Sequence, residues 1–466
     1  MNLLASIFLN LKKILKKKNY IEKFDDQLKE KLSYEDKKNF ILNNLKIKEN
    51  NPYFFLKLLA NEILNLKYFS KFDLRKFYEI YNLFLKKNNL DSKDFEIINN
   101  GNFIGSIGNC LAVENLILAN LMGLRKAKKI ITIMNKSLKP RNKILFKYFS
   151  KHLKVVENSN QIKVSPITAK NIEIPIGIGL NFKKNETLYL SNAANFIYQN
   201  KTKNSPIPLL RLNKDDLKKG EEILSNLGVQ NKSWYVTLHV REVGYRGETI
   251  ENTNENFRNS NPERYIKSIK EIINQGGYVI RVGDPKMSPL PKIDGLIDYC
   301  HSTSRSEFAD IFLASTSLFC LGTSSGFWTL SRMFGTPVLL TNTSDLNQFF
   351  ALRENDLLVP RLVYNKEKKQ FLKFSEMFSF PYCMLNSDLS YKKLNLETLE
   401  NNEIDLLEAT KEMLEICRRK KPNDTWRQNK IKEISQKVLF DQIKMTQIPY
   451  GRISENFLKV NESLIN

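Results

Sequence analysis

At 466 residues, with 42% apolar and 11% aromatic side chains, the chain exceeds one ordinary core and is too apolar for a disordered polymer. Its formal net charge of +23 would suit nucleic acid, anionic lipid or phosphorylated ligands, yet the lysines are scattered, and no basic run interleaved with aromatics falls in a single element, which excludes an ordinary nucleic-acid binder. Five dispersed cysteines without a Cys-x-x-Cys pair, three dispersed histidines and the absence of any Asp-x-Asp pair point to free thiols in a reducing, cytoplasmic setting, and to chemistry that needs no metal and no cofactor.

In chain order, residues 1–19 place Leu3, Leu4, Ile7, Phe8, Leu11, Ile14 and Leu15 opposite Lys12, Lys13, Lys16, Lys17 and Lys18. That pattern predicts a basic amphipathic helix lying either on an anionic membrane surface, at the inner face of the cytoplasmic membrane, or on the protein itself. Helical periodicity continues to about Phe95 as a lead-in. A glycine-rich segment (Gly101, Gly105, Gly108) then opens an apolar helix over Cys110–Met122, followed by a strand at Ile130–Met134, a helix at Arg141–His152 and a strand at Val155–Val156. Pro-bearing coil at Ser205–Pro208 marks a hinge, so the lead-in and a first Rossmann-like domain occupy residues 20–205.

The second half alternates strand and helix more clearly: strand Tyr235–Val240, a helix started by Asn261 and Pro262, strand Tyr278–Val282, helix Ser306–Ala314, strand Leu318–Leu321, helix Gly326–Phe334 and strand Val338–Thr341. This rhythm predicts an α/β fold: a parallel sheet covered on both faces, with ligands at the carboxyl ends of its strands, in a donor-binding domain over residues 206–422 and a helical tail over 423–466. The 21 uncharged positions from Ile311 to Ser331 are long enough to cross a membrane, but their glycines and hydroxyls favour buried strand, turn and helix.

Three places could carry chemistry. His239 and Arg241 share a face at a strand end, where an arginine can fork onto a phosphate, and the following loop (Gly244, Tyr245, Arg246, Gly247) can approach a ligand; a surface arginine paired with Glu242 is the plain alternative. The turn Gly322, Thr323, Ser324, Ser325, Gly326 offers free helix-start amides and hydroxyls to a pyrophosphate, or is an ordinary capped turn. It also fits a hydrolase Gly-x-Ser-x-Gly elbow, but no histidine follows His301 to serve Ser324 as base. Gly283 and Asp284 could admit a base or ribose, or form a turn before Pro285. For sugar transfer a carboxylate is wanted after Arg241; Glu248 sits further into the loop than Glu242 and is preferred as base. Gly105, Gly108 and Asn109, with Tyr245 and Arg246, are candidates for the acceptor side of a cleft.

Taken together, HVREVGYRG, RNSNPERYIKSIKEIINQGGYVIRVGD, IDYCHSTSRSEFADIFLASTSLFCLGTSSGFWTLSRMFGTPVLLTN and the late GRISENFL resemble bacterial glycosyltransferases of surface polysaccharides, over roughly residues 100–460. That family is in turn similar to the GT-B fucosyltransferases of the α1,6-linking and protein O-linking types. The resemblance implies two Rossmann-like domains facing a cleft and an inverting, metal-independent transfer from a nucleotide-diphosphate sugar to a glycan or lipid-linked acceptor. It also implies that Arg241, beside His239, and the Thr323, Ser324, Ser325 turn hold the diphosphate, that Asp284 lies near the nucleotide, and that Glu248 is the base. Where those fucosyltransferases continue with a second arginine, this chain has Glu242, Val243 and Gly244, so the donor sugar stays open. The competing class is a degenerate transferase that binds glycan or nucleotide without turnover.

Overall fold

A computed structural model describes residues 95–98, 106–124, 129–135, 140–158, 179–183, 186–243, 255–379, 382–385, 387–418, 423–443 and 448–465. The proposed helix over 1–19, the lead-in before 95, Gly105, and the loop carrying Tyr245, Arg246 and Glu248 lie outside these residues. The chain divides into two compact units. One comprises residues 1–72 and 181–188, of which residues 181–183 and 186–188 are described, within the paired strands β4 (Gly179–Lys183) and β5 (Glu186–Tyr189). The other comprises 73–180 and 189–466, and everything below belongs to it.

Its amino-terminal part is a parallel sheet of β1 (Phe95–Ile98), β2 (Lys129–Asn135) and β3 (Lys154–Asn158), linked by helices α1 (Cys110–Leu121) and α2 (Lys143–Phe149). Helix α1 buries residues all round its circumference, Glu114 and Asn115 included, as its nearly unbroken apolar sequence requires. Helix α2 is capped by Asn142, whose Oδ1 accepts from the Leu145 amide at 2.8 Å. Helices α3 (Leu190–Gln199) and α4 (Lys214–Asn226) lead into the second half; between them the expected hinge is packed down, with the Pro208 ring against Gly335 and the Leu210 amide on the Met333 carbonyl.

The second half is built on a seven-stranded sheet ordered β15-β11-β10-β9-β6-β7-β8. Its strands are β6 (Tyr235–His239), β7 (Tyr278–Arg281), β8 (Leu296–Ile297), β9 (Cys320–Thr323), β10 (Val338–Thr343), β11 (Leu357–Pro360) and β15 (Arg452–Ile453), and every neighbouring pair is parallel. Strands β9, β10 and β11 are buried along their whole length, the signature of a sheet covered on both faces. The crossovers run through α5 (Ile266–Asn274), α6 (Glu307–Thr316) and α7 (Gly326–Met333). Ser306 caps α6, accepting from the Ala309 amide at 3.1 Å. Beyond β11, a small antiparallel sheet of β12 (Leu362–Asn365), β13 (Gln370–Phe371) and β14 (Leu396–Leu399) surrounds α8 (Phe374–Phe378) and α9 (Asp388–Lys393). Helices α10 (Glu403–Arg418), α11 (Trp426–Ile443) and α12 (Glu455–Val460) complete the chain, with β15 between the last two.

Chain order places β7 and β8 on one side of β6, and β10, β11 and β15 on the far side of β9. The winding therefore reverses between β6 and β9, and an open parallel sheet binds its ligand in the crevice at the carboxyl ends of such a pair. The run 311–331 is helix, strand and helix, as its hydroxyls predict, and no helix of the described residues is long and apolar enough to cross a membrane. The strand expected at Leu318–Leu321 begins two residues later, at Cys320, although the Leu318 amide already reaches the Tyr235 carbonyl of β6.

Candidate active site at the switch point

Strands β6 and β9 bring their carboxyl ends together because Gly322 lies opposite His239: a Cβ on residue 322 would come within 2.9 Å of the His239 carbonyl. Just beyond, the Arg241 amide donates to the Thr323 hydroxyl at 2.9 Å. Two of the expected phosphate-binding elements, Arg241 and the 323–326 turn, thus adjoin at the place where the winding reverses. Thr323 is fully buried, and its hydroxyl, expected on a phosphate, accepts from the Arg241 amide.

The Arg241 side chain is nearly buried, its Nε donating to Asn259 Oδ1 at 3.1 Å and its Nη2 pairing with Glu255 at 2.8 Å. Pairing with Glu242, the plain alternative for this arginine, does not occur. Glu242 instead takes Arg281 at 2.5 Å and the Ser288 amide at 3.2 Å, while Arg281, fully buried, also holds Asp298 at 3.1 Å. Burial pushes the Glu242 carboxyl up, against the pull of Arg281. Held on both oxygens, Glu242 is not placed to take a proton from an acceptor.

Sequence reading gave no role to Arg258. It lies on a 3-10 turn, Asn256–Arg258, whose amides at 256 and 257 are capped by the Asp388 carboxylate at 2.8 and 2.7 Å. Its Nε and Nη2 donate to the Ser324 carbonyl at 3.1 and 2.7 Å, so a second guanidinium braces the turn that Arg241 adjoins. The only sequence signal was its place immediately before the Asn259-Ser260-Asn261-Pro262 approach to a helix.

Ser324 Oγ accepts from Gln348 Nε2 at 2.6 Å; an amide, not an imidazole, engages the residue that a hydrolase would use as nucleophile. Ser325 is the N-cap of α7, accepting from the Phe327 amide at 3.3 Å. Gly326 opens the helix against the amino-terminal half: a Cβ there would lie 3.1 Å from the Gly108 nitrogen, and one on Gly108 would lie 3.6 Å from the Gly326 Cα. Gly108, in the 3-10 turn Ile107–Asn109 that precedes α1, therefore meets the start of α7, which follows β9. Behind this meeting, Arg332 of α7 pairs with Glu114 of α1 at 2.6 Å, both buried.

His239 stacks on Phe327, centroids 5.7 Å apart and planes 5° from parallel, with Nδ1 lacking a hydrogen-bond partner among the described residues. Burial drives its imidazole down to about 4, helped by Arg241, Arg281 and Arg258. Between the ordinary histidine value of about 6.5 and 4 the unfolded chain binds a proton that the folded chain refuses, so stability falls as pH falls through that window. Urea titrations across this range should show that decline in the wild type and a shallower one in His239→Phe; parallel curves for the two proteins would contradict the placement.

Gly283 and Asp284 form a closed turn. The Asp284 carboxylate accepts from the Lys286 amide at 3.0 Å, and a Cβ on Gly283 (φ +155°) would meet Met287 Sδ at 2.3 Å. The glycine makes room for the Met287 thioether, in the turn that was the alternative reading of this segment. Nearby, donor atoms of Asp298, Cys300 and His301 lie within 4.8 Å of one another, a grouping that the scatter of histidines did not suggest; the Asp298 charge there is met by Arg281.

No family model and no curated protein matches the chain. Among solved structures it is similar to a glycosyl transferase family 9 protein from Veillonella parvula DSM 2008, at 10% identity over 54% of this chain and 80% of that one, with a TM-score of 0.33. It is also similar to the E. coli ADP-heptose LPS heptosyltransferase II (9% identity, 58% and 90% covered, TM-score 0.38) and to the iron-containing dodecameric glycosyltransferase TibC from enterotoxigenic E. coli H10407 (14%, 55% and 59%, TM-score 0.29).

Proposed function

We propose that this chain is a GT-B-type glycosyltransferase that takes a sugar from a nucleotide diphosphate, with the diphosphate at the β6–β9 switch point. The carrying observation is the convergence there of Arg241, Arg258 and the Ser324–Gly326 helix start. In the proposed reaction an acceptor hydroxyl attacks the anomeric carbon as the bond to the leaving phosphate oxygen breaks. Negative charge grows on that oxygen, where guanidiniums and helix-start amides are already aimed in a partly dry setting. The two arginines take the neutralising part that a divalent cation plays elsewhere, so the proposal needs no metal. With Glu242 engaged by Arg281 and Ser288, Glu248 is the carboxylate assigned to accept the hydroxyl proton, in an inverting transfer.

The acceptor would enter from the amino-terminal half, past Gly108 and Asn109. The motif resemblance supports a glycan or lipid-linked acceptor in surface polysaccharide synthesis, and the basic residues 1–19 a peripheral place on the inner face of the cytoplasmic membrane. Thermal unfolding in the presence of a panel of nucleotide sugars tests the reading: one donor at 100 times its Kd should stabilise the protein by about 2.7 kcal/mol. No shift with any nucleotide sugar or nucleoside diphosphate would exclude it, and a shift without turnover would favour the degenerate, binding-only alternative.

A further inference from the structure

Two guanidiniums at the switch point share one carboxylate. Glu255 Oε2 stands 2.8 Å from Arg241 Nη2 and 3.0 Å from Arg258 Nη1. The other described side-chain bonds of both arginines go to neutral acceptors: Nε of Arg241 to Asn259, and Nε and Nη2 of Arg258 to the Ser324 carbonyl. Those bonds hold both guanidiniums, and Nη2 of Arg241 and Nη1 of Arg258 converge on one oxygen. The group at that point rides on a side chain 41% exposed, against 9% and 27% for the two arginines it bridges. Burial and the nearby Arg241 charge push the Arg258 guanidinium below its ordinary range, while Glu255 and Asp345 pull it back, so the arrangement calls for an anion between the arginines. A carboxylate supplies one negative charge and two oxygens; a diphosphate supplies more of both to Nη2 of Arg241 and Nη1 of Arg258.

Resting on the diphosphate reading above, we infer that Arg258 is a second diphosphate clamp and that Glu255 is an internal counter-anion, which the incoming diphosphate displaces from both guanidiniums. Holding the forks in place while the site is empty, Glu255 competes with the ligand and so sets the affinity. The test is calorimetric titration of the full chain with inorganic pyrophosphate. Glu255→Gln, an isosteric change on a half-exposed side chain, should bind roughly tenfold tighter than wild type, because the competitor loses its charge. Arg258→Lys, which keeps the charge and loses the fork, should bind roughly tenfold weaker. Unchanged or weaker binding by Glu255→Gln, with its urea midpoint preserved, overturns the counter-anion; wild-type affinity in Arg258→Lys overturns the clamp. If neither wild type nor any variant binds pyrophosphate or a nucleoside diphosphate, the diphosphate site itself is overturned.

Discussion

Replacing Arg241 with alanine is expected to lower sugar transfer by roughly a hundred- to a thousandfold, the usual loss when one preorganised donor to a developing oxyanion is removed. The expectation follows from placement. Arg241 is held before any ligand arrives by its amide on Thr323 and its Nε on Asn259, so its fork costs no reorganisation as charge moves onto the leaving phosphate. Glu248→Gln should lose less, since charge stabilisation exceeds proton removal in the proposed mechanism. Glu242→Gln should act mainly through stability, by loosening the buried Arg281. Initial rates of the four proteins with the donor found in the thermal screen decide the order; equal rates for wild type and Arg241→Ala would refute the site.

Arg332→Met should destabilise the protein by about 3–5 kcal/mol, the cost of leaving one half of a buried ion pair without its partner. Arg332 and Glu114 join α7, whose first residue, Gly326, ends the turn proposed to hold the diphosphate, to α1, which the 3-10 turn bearing Gly108 precedes. Burial pushes Glu114 up and Arg332 down, each toward its neutral form, and their mutual attraction opposes this. With Arg332 gone, the Arg353 charge still attracts the Glu114 carboxylate but its hydrogen-bonded partner is lost, which drives Glu114 further toward its protonated form, so the loss should be smaller at pH 5 than at pH 8. The double variant Glu114→Leu, Arg332→Met should recover much of the difference. Urea midpoints at the two pH values measure this, and a single variant as stable as wild type would contradict the assigned contact.

The alternation of strands and helices from Tyr235 to Thr341 was legible because each element carries its own period, and because local punctuation such as Asn261-Pro262, Ser306, Gly276 and Gly335 survives in the fold. Strand β15 was not legible: two residues carry no period, and the fully buried Arg452 reads as surface until its pairing with Asp424 is seen. The small antiparallel sheet was missed for the same reason, its strands spanning two to four residues. At the site, the neighbourhood of Arg241 and Ser324 could be inferred from strand ends alone, since the switch-point rule needs only strand order. The partners of those residues could not. Whether Glu242 or Glu255 meets Arg241, and whether Gly283 faces a ligand or Met287, depends on how loops return to the sheet, and no local spacing encodes that.

A double-mutant cycle on diphosphate binding reaches the central claim most directly. Arg241→Ala, Ser324→Ala and their combination are titrated calorimetrically with the nucleoside diphosphate of the identified donor. If strand tip and helix turn grip one ligand, each single change weakens binding, and the pair departs from additivity by at least about 0.5 kcal/mol. Strict additivity, or an Arg241→Ala protein that binds as tightly as wild type, would mean that the two elements do not act on the same phosphates.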